Sequence, residues 1–268
     1  MPPANSHSQH DRAQRAAGAA LARALAAGEV MTAFQPKVRL DTRELIGVEA
    51  LARWTSKEFG PVAPEVCIPL AEREGLISEL TQLILREALA ACALLRRYAP
   101  GITVAVNISP ILLADRNLPI QIESALRLAG VPPQALVAEV TEGHAIQLGA
   151  RATLTNLRRR GIVCSIDDFG TGHASLLSLL RLPFSELKID RAFIARCARD
   201  REAEMIVRAT IGLAREMQLH VVAEGVETED TETLLRDLGC DAGQGYRYGR
   251  PVFVSAMLAS VMRPGAIF

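Results

Sequence analysis

From about residue 100 onward the sequence repeats one hydropathy pattern. A short apolar run ends in a polar residue and is followed by a longer stretch whose apolar positions fall three and four residues apart. Six runs have this form: ITVAVN ending at Asn107, ALVAEVTE with Glu139 and Glu142, IVCSIDD ending at Asp167 and Asp168, FSELKID with Lys188 and Asp190, LHVVAE ending at Glu224, and the segment from Gly239 through Gln244. Most are rich in β-branched residues and have the length of buried parallel strands. The stretches 116–129, 146–160, 201–218 and 228–238 predict helices between them. The markers Asn107, Glu139, Asp167, Lys188, Glu224 and Gln244 stand 32, 28, 21, 36 and 20 residues apart. Repeating βα units of roughly 30 residues predict an α/β barrel with parallel strands.

The beginning breaks this pattern. MTAFQPKVRL (31–40) and ELIGVEALARW (44–54) both read as strands, joined only by the few residues around Asp41 to Arg43. A parallel crossover needs a dozen residues or more, so this pair is antiparallel. Helices at 65–74 and 76–97 lead to the strand at 102–107. About eight strands result, in a barrel with one reversed strand near its start. No Pro/Gly/Ser-rich break divides the chain, so one barrel domain is expected over 12–268. Residues 1–11 are polar, with Pro and His, and read as a disordered tail; the Ala- and Arg-rich stretch from Arg12 favours helix.

Composition narrows the partners. Of 268 residues, 49% are hydrophobic and 22% charged, enough to bury a sizeable core, and the formal net charge is zero. No net positive field draws the chain to polymeric nucleic acid or an anionic membrane. A phosphate ligand would need its charge met locally. No apolar run reaches the length of a membrane span, and arginines interrupt the N-terminal stretch where a signal-peptide core would lie, so a cytoplasmic location is expected. The five cysteines, Cys67, Cys92, Cys164, Cys197 and Cys240, form no CxxC and read as small buried hydrophobes.

In a barrel of this kind the C-terminal strand ends face the active site. Those ends carry Asn107, Glu139, Asp167, Asp168, Lys188, Glu224 and Gln244, and Glu49 in the second strand aims at the same mouth. Carboxylates gathered in one mouth must hold cations or take up protons. An oxygen-rich set with one amide and no Cys or His suits Mg²⁺ or Mn²⁺. The adjacent Asp167 and Asp168 offer a bridge between two such ions, which would activate water and stabilise both oxygens of an in-line phosphoryl displacement. Lys188 would orient or deprotonate that water, or neutralise developing charge. Any one of these acids is most simply an exposed surface charge. Five acids, an Asn and a Lys at successive strand ends are not, although an ion-pair network around Lys188 is the competing structural reading. DFG at 168–170 lacks the accompanying kinase motifs. His144 and His173 lie near the mouth without metal-ligand spacing, and Trp54 reads as core.

The run EALARW (49–54) resembles the signature of EAL-domain cyclic-di-GMP phosphodiesterases. FQPKV (34–38), CIPLAEREGLI (67–77), NIS (107–109), EVTEG (139–143), DDFGTGHASL (167–176), LKID (187–190), VVAEGVE (221–227) and GCDAGQGYRYGRP (239–251) follow in the family's order. The resemblance runs from about residue 18 to the C-terminus. It implies a modified (β/α)8 TIM-like barrel with one antiparallel strand, and hydrolysis of cyclic di-GMP to linear pGpG. By motif, Glu49, Asn107, Glu139 and Asp167 correspond to ligands of one divalent ion, and Asp167 and Asp168 to ligands of a second. Lys188 corresponds to the catalytic lysine, and Glu224 and Gln244 to residues holding the metal and its waters. Leu51 and Arg53 correspond to substrate contacts; Gln35, in FQPKV, and Asp168 join the expected substrate-binding set. Glu142, Gly170, Thr171 and Gly172 resemble a loop coupled to dimerisation, with Glu227 as its support. The resemblance thus implies a homodimer and agrees with Mg²⁺ or Mn²⁺ as cofactor; Ca²⁺, whose looser coordination positions water poorly, is expected to inhibit. Gly143 and His173 depart from the usual Ser and Tyr, and Val137 and Ala138 vary the strand; none is a presumed ligand. The alternatives are a catalytically silent cyclic-di-GMP sensor, which would normally lack a ligand or the lysine, and a protein-interaction domain.

Overall fold

The computed structural model describes residues 5–141, 150–170 and 176–262, with backbone alone for 5–15 and 176–178. Helix α1 (Asn5–Ala27) starts inside the stretch read from sequence as a tail. Its Ala20, Leu21 and Ala24 are buried on one face, and it packs against α2 and β2.

Strands β1 (Val30–Arg39) and β2 (Leu45–Ser56) form the expected antiparallel pair. The turn between them places Arg43 in the left-handed region, at φ 56°. A short β3 (Gly60–Val62), absent from the sequence reading, pairs antiparallel with the end of β2. Helices α2 (Pro64–Arg73) and α3 (Ile77–Leu95) lead into β4 (Thr103–Asn107). The chain then follows the βα repeat: α4 (Leu118–Ala129), β5 (Leu136–Thr141), α5 (Ala150–Arg159), β6 (Val163–Phe169), α6 (Leu176–Arg181) and β7 (Glu186–Ile189). It continues with α7 (Arg191–Ile194), α8 (Arg201–Glu216), β8 (His220–Glu224), α9 (Glu229–Asp237), β9 (Ala242–Gln244) and α10 (Val254–Val261).

The sheet closes on itself. Its order is β1-β9-β8-β7-β6-β5-β4-β2, and the β1–β2 pairing completes the circle, with β3 appended to β2. Strand β1 runs antiparallel to both neighbours, and the other seven barrel strands are parallel. This is a modified (β/α)8 barrel.

Alternation along each strand divides the buried residues into two sets. Val104 and Val106, Leu136 and Ala138, Cys164 and Ile166, and Leu187 and Ile189 share one face of the sheet and join a single apolar core with the helices. Helix α8 meets that core with Ala203, Val207, Thr210, Ile211 and Ala214, a stripe at helical spacing. Burying each Leu, Ile or Val contributes about 1.5–3 kcal/mol. Asp200 and Thr228 cap α8 and α9 by accepting from backbone N–H groups of their first turns. All five cysteines are buried and unpaired, as their apolar settings suggest.

The opposite face of the sheet turns inward and is polar at both ends of the barrel. At the floor, Lys37 Nζ donates to both oxygens of Glu186, at 3.1 and 3.0 Å, and His220 Nδ1 lies 3.6 Å from the same carboxylate. Gly47 leaves room for this pair, since a Cβ there would meet Thr103 Oγ1 at 2.5 Å and Lys37 Cε at 3.2 Å. At the other end lies the mouth.

Candidate active site

The barrel register carries the expected residues to one end. Gln35 sits opposite Glu49 across β1 and β2, Asn107 opposite Glu139 across β4 and β5, and Glu224 opposite Gln244 across β8 and β9. Two successive residues of a regular strand point to opposite faces, so Asp167 and Asp168 should diverge. They do not, because the β6–β7 register breaks between Ile166 and Phe169 and Asp168 adopts a left-handed φ of 56°. This irregularity brings carboxylate oxygens of Asp167, Asp168 and Glu224 within 4.8 Å of one another.

Lys188 stands at the centre, fully buried. Its Nζ lies 2.5 Å from Glu224 Oε1, 3.1 Å from Glu139 Oε2, 3.2 Å from Asp167 Oδ1 and 3.7 Å from Glu49 Oε2. Burial pushes the lysine toward neutrality, but Asp167, Glu139, Glu224 and Glu49 together outweigh it and hold the ammonium well above its usual range. The acids divide. Burial pushes Glu139 well up and raises Asp167, and Lys188 only partly opposes it. Burial likewise lifts Glu224 to about 8, and burial with the charge of Asp167 lifts Asp168 to about 6. Glu49 is the exception. Burial raises it too, yet Lys188 and the side-chain amides of Gln244 and Asn107 bring it below the ordinary value. Asn107 Nδ2 donates to Glu49 Oε1 at 2.8 Å, while Gln244 Nε2 donates to Glu49 Oε2 and to Gln35 Oε1.

Two features fit this cluster to divalent cations. Glu139 is 1% exposed, and neither of its carboxylate oxygens nor Lys188 Nζ makes a hydrogen bond of good geometry; their contacts are ion-pair distances only. Charge is the second feature. Five acids gather around one ammonium, and four of them, Glu139, Asp167, Asp168 and Glu224, are pushed toward their protonated forms by burial and by one another, so the site lacks positive charge. Divalent ions would supply that charge in place of protons, and an all-oxygen donor set suits hard ions. Glu49, Asn107, Glu139 and Asp167 would hold one; Asp167, Asp168 and Glu224 would hold the other.

The mouth opens into a cleft of about 490 Å³ lined by Gln35, Glu49, Leu51, Asp167, Asp168, Glu224, Glu227 and Gln244, with Asp190, Arg191 and Tyr246 at its walls. Leu51 and Arg53 share the strand face of Glu49. Leu51 lines the cleft, whereas Arg53 is not among the residues lining it and donates to the Ala52 carbonyl. Gly170, at φ 103°, ends β6. Glu142, His144, Thr171, Gly172 and His173 lie outside the described residues. Trp54 is core, 3% exposed. Asp190, Arg191 and Tyr246 were not singled out in the sequence as site residues. Asp190 follows Lys188 in LKID and Tyr246 follows Gln244, so their closeness to marker residues was the available signal.

Fold and site together define a modified (β/α)8 barrel with an acidic, all-oxygen centre around a buried lysine at its C-terminal mouth. The EAL domain profile matches residues 19–251, and the chain belongs to the EAL domain family. It is 42% identical over 248 residues to the bifunctional diguanylate cyclase/cyclic di-GMP phosphodiesterase MucR of Pseudomonas aeruginosa, covering 90% of this chain and 36% of that protein. It is 33% identical to the cyclic di-GMP phosphodiesterase RocR of the same organism, covering 86% of this chain and 59% of RocR. The chain thus spans about a third of the length of MucR and somewhat more than half of RocR. Among solved structures, the MucR phosphodiesterase in complex with c-di-GMP superposes with a TM-score of 0.83 at 40% identity, covering 88% of this chain and 97% of that one. The EAL enzyme Bd1971, bound to cAMP and cyclic di-GMP, gives a TM-score of 0.91 at 28% identity, over 95% and 70% of the two chains.

Proposed function

We propose that the chain hydrolyses one phosphodiester bond of cyclic di-GMP to give linear pGpG, using two divalent ions, Mg²⁺ or Mn²⁺. The single observation that carries this reading is the Lys188 cluster: a buried ammonium inside an excess of buried carboxylates, at the catalytic end of a barrel. The family's named members supply the substrate. When bound, the ions lower the pKa of a water and compensate charge on the phosphoryl oxygens.

The protein's own residues do the rest. Water adds at phosphorus and the bond from phosphorus to the 3′ oxygen breaks, leaving a 5′ phosphate and a 3′ hydroxyl. Lys188 holds the water by donating hydrogen bonds. With its carboxylates neutralised, burial alone acts on the lysine and moves it toward the neutral amine, the form that accepts a proton. Gln244 and Asn107 fix the Glu49 carboxylate from both sides and so fix the direction of its lone pairs. Leu51 and Gln35 shape the wall on which the nucleotide rests.

The reading also takes in a homodimer, in which Glu142 and the 168–173 segment couple subunit contact to the site. The test of the function is incubation of purified protein with cyclic di-GMP and Mg²⁺ or Mn²⁺, with products separated by chromatography. Appearance of pGpG that EDTA abolishes is the expected result. Tight binding without product overturns hydrolysis and leaves a sensor.

A further inference from the structure

The two ends of the barrel differ in the sign of their charge. The mouth gathers acids. The floor opens into a second hollow, of about 790 Å³, which Lys37, Arg39, Arg158 and His220 line together with two carboxylates, Glu44 and Glu186. Bulky branched residues ordinarily fill the inner layers of such a barrel. Here Lys37, Gly47 and Thr103 stand in register across β1, β2 and β4, and Glu186 stands in register with His220 across β7 and β8.

Stability accounts for part of this layer. Lys37 and Glu186 satisfy each other, both almost fully buried, and their charges cancel. Two arginines and a histidine are then left with Glu44 alone. Arg39 meets Glu44 loosely, its Nε 3.9 Å away, and both side chains reach solvent. Arg158 Nη1 donates one long hydrogen bond, to the Ile162 carbonyl at 3.4 Å. A guanidinium carries five N–H donors, so each arginine keeps several for a ligand. His220 Nδ1 is buried, 3.6 Å from Glu186, and has no hydrogen-bond partner among the described residues.

These three groups come from β1, the end of α5 and the start of β8, three separate elements around one hollow. Donors from several elements suit a tetrahedral phosphate, which offers oxygens on every side, and arginine is the side chain whose fork matches it. Much of the remaining lining is apolar, with Leu45, Ile46, Ile102 and Val261 beside a half-exposed Tyr98. An apolar wall with a few convergent polar groups is the usual make-up of a small-molecule site, and the hollow falls within the roughly 300–1,000 Å³ of such sites.

We infer that the barrel floor is a second ligand site, for a small organic phosphate. The phosphate meets Arg39, Arg158 and His220, and the organic part lies on the wall of Ile46, Ile102 and Tyr98. Glu186 and Lys188 are two residues apart on the inward face of β7, so the hollow lies at the opposite end of the barrel from the acidic centre. The site does not depend on the reading of the mouth as a cyclic-di-GMP phosphodiesterase.

The test is calorimetric titration of the whole chain with phenyl phosphate in EDTA, where the metal-free acidic mouth repels an anion. The expected result is saturable binding at one site, tighter than that of inorganic phosphate, which lacks the organic part. Arg39→Gln and Arg158→Gln each weaken it about ten-fold or more, the effect of losing a charged hydrogen-bonding group. Both side chains reach solvent, so these variants keep the wild-type circular dichroism spectrum and melting temperature. Arg159→Gln, at the neighbouring arginine that does not line the hollow, leaves the affinity unchanged. Absence of saturable binding overturns the site. Equal affinity in wild type, Arg39→Gln and Arg158→Gln overturns it as well, since the anion then binds elsewhere. So does a loss in Arg159→Gln as large as that in Arg158→Gln, the mark of general charge attraction. Equal affinity for phenyl phosphate and inorganic phosphate overturns an organic ligand.

Discussion

Lys188 Nζ and Glu139 Oε2 lie 3.1 Å apart at the barrel's interior end, the lysine 0% and the glutamate 1% exposed. A buried pair of this kind gains Coulomb energy and loses hydration in comparable amounts. Here the balance is further upset, because the lysine is shared among four acids. Burial raises Glu139, Asp167 and Glu224, and a bound cation would lower that cost. Glu139→Gln removes the cost of burying or protonating that carboxyl group on folding. Its expected effect is a melting temperature a few degrees above wild type in EDTA, together with a smaller gain on adding Mg²⁺. Differential scanning calorimetry with and without Mg²⁺ checks both; an unchanged metal-induced gain would remove Glu139 from the ligand set.

Lys188→Ala tests the opposite charge. Removing the buried ammonium leaves its acids uncompensated, which costs roughly 3–5 kcal/mol in the absence of metal. Divalent cations should restore much of that stability, since they meet the same charges. Hydrolysis should remain absent while cyclic di-GMP binding stays measurable by calorimetry. Loss of binding together with turnover, despite restored stability, would mark Lys188 as a structural ion-pair partner alone.

The floor of the barrel sets an acid limit that does not involve the mouth. Burial alone would raise Glu186, but Lys37 and His220 overcome it and depress the carboxyl from 4.5 to about 2. A depressed carboxylate contributes stability above its unfolded pKa and loses it as pH falls through the folded one. The contribution, about 3 kcal/mol at neutral pH, should therefore disappear between about pH 4.5 and pH 2. Urea unfolding across that window should show a shallower acid slope for Glu186→Gln than for wild type. Identical slopes would mean that the pair does not act in the folded state.

Gly245 is a steric requirement. An added Cβ would stand 2.2 Å from the Val226 carbonyl oxygen and 2.3 Å from its nitrogen, both rigid backbone. Gly245→Ala must push apart the contacts that place Gln244 against Glu49. The expected result is a stability loss of about 1–3 kcal/mol and a fall in kcat of more than about ten-fold. Activity and melting temperature equal to wild type would show that the loop moves freely.

Calcium separates binding from chemistry. Its looser, larger coordination shell suits the acidic cluster but positions a water poorly. Ca²⁺ should compete with Mg²⁺, support cyclic di-GMP binding and inhibit hydrolysis. Full turnover with Ca²⁺ alone would contradict the two-ion arrangement.

The barrel and most of its mouth were legible in the sequence because both follow from one-dimensional rules. Parallel strands buried on both faces read as apolar runs, and the barrel carries their polar ends to one place, so Asn107, Glu139, Asp167 and Glu224 could be found by position. What could not be read depends on contacts between distant residues or on local backbone departures. The turn of Asp168 into the mouth comes from a left-handed φ and a register break, which adjacency to Asp167 only hinted at. Lys37 and Glu186 are 149 residues apart, and each alone resembles an ordinary surface charge. Strand β3 is three residues long, too short for any periodicity. The start of α1 at Asn5 lies in a polar stretch whose composition resembles a tail.

The central claim is that this mouth directs water onto a phosphodiester of cyclic di-GMP. Hydrolysis in H₂¹⁸O with Mg²⁺ or Mn²⁺, read by mass spectrometry of the product, tests it most directly. The account predicts linear pGpG with one ¹⁸O in its 5′ phosphate, formed by wild type and absent with EDTA or in Glu49→Gln. Intact cyclic di-GMP under those conditions, or unlabelled product, would contradict it.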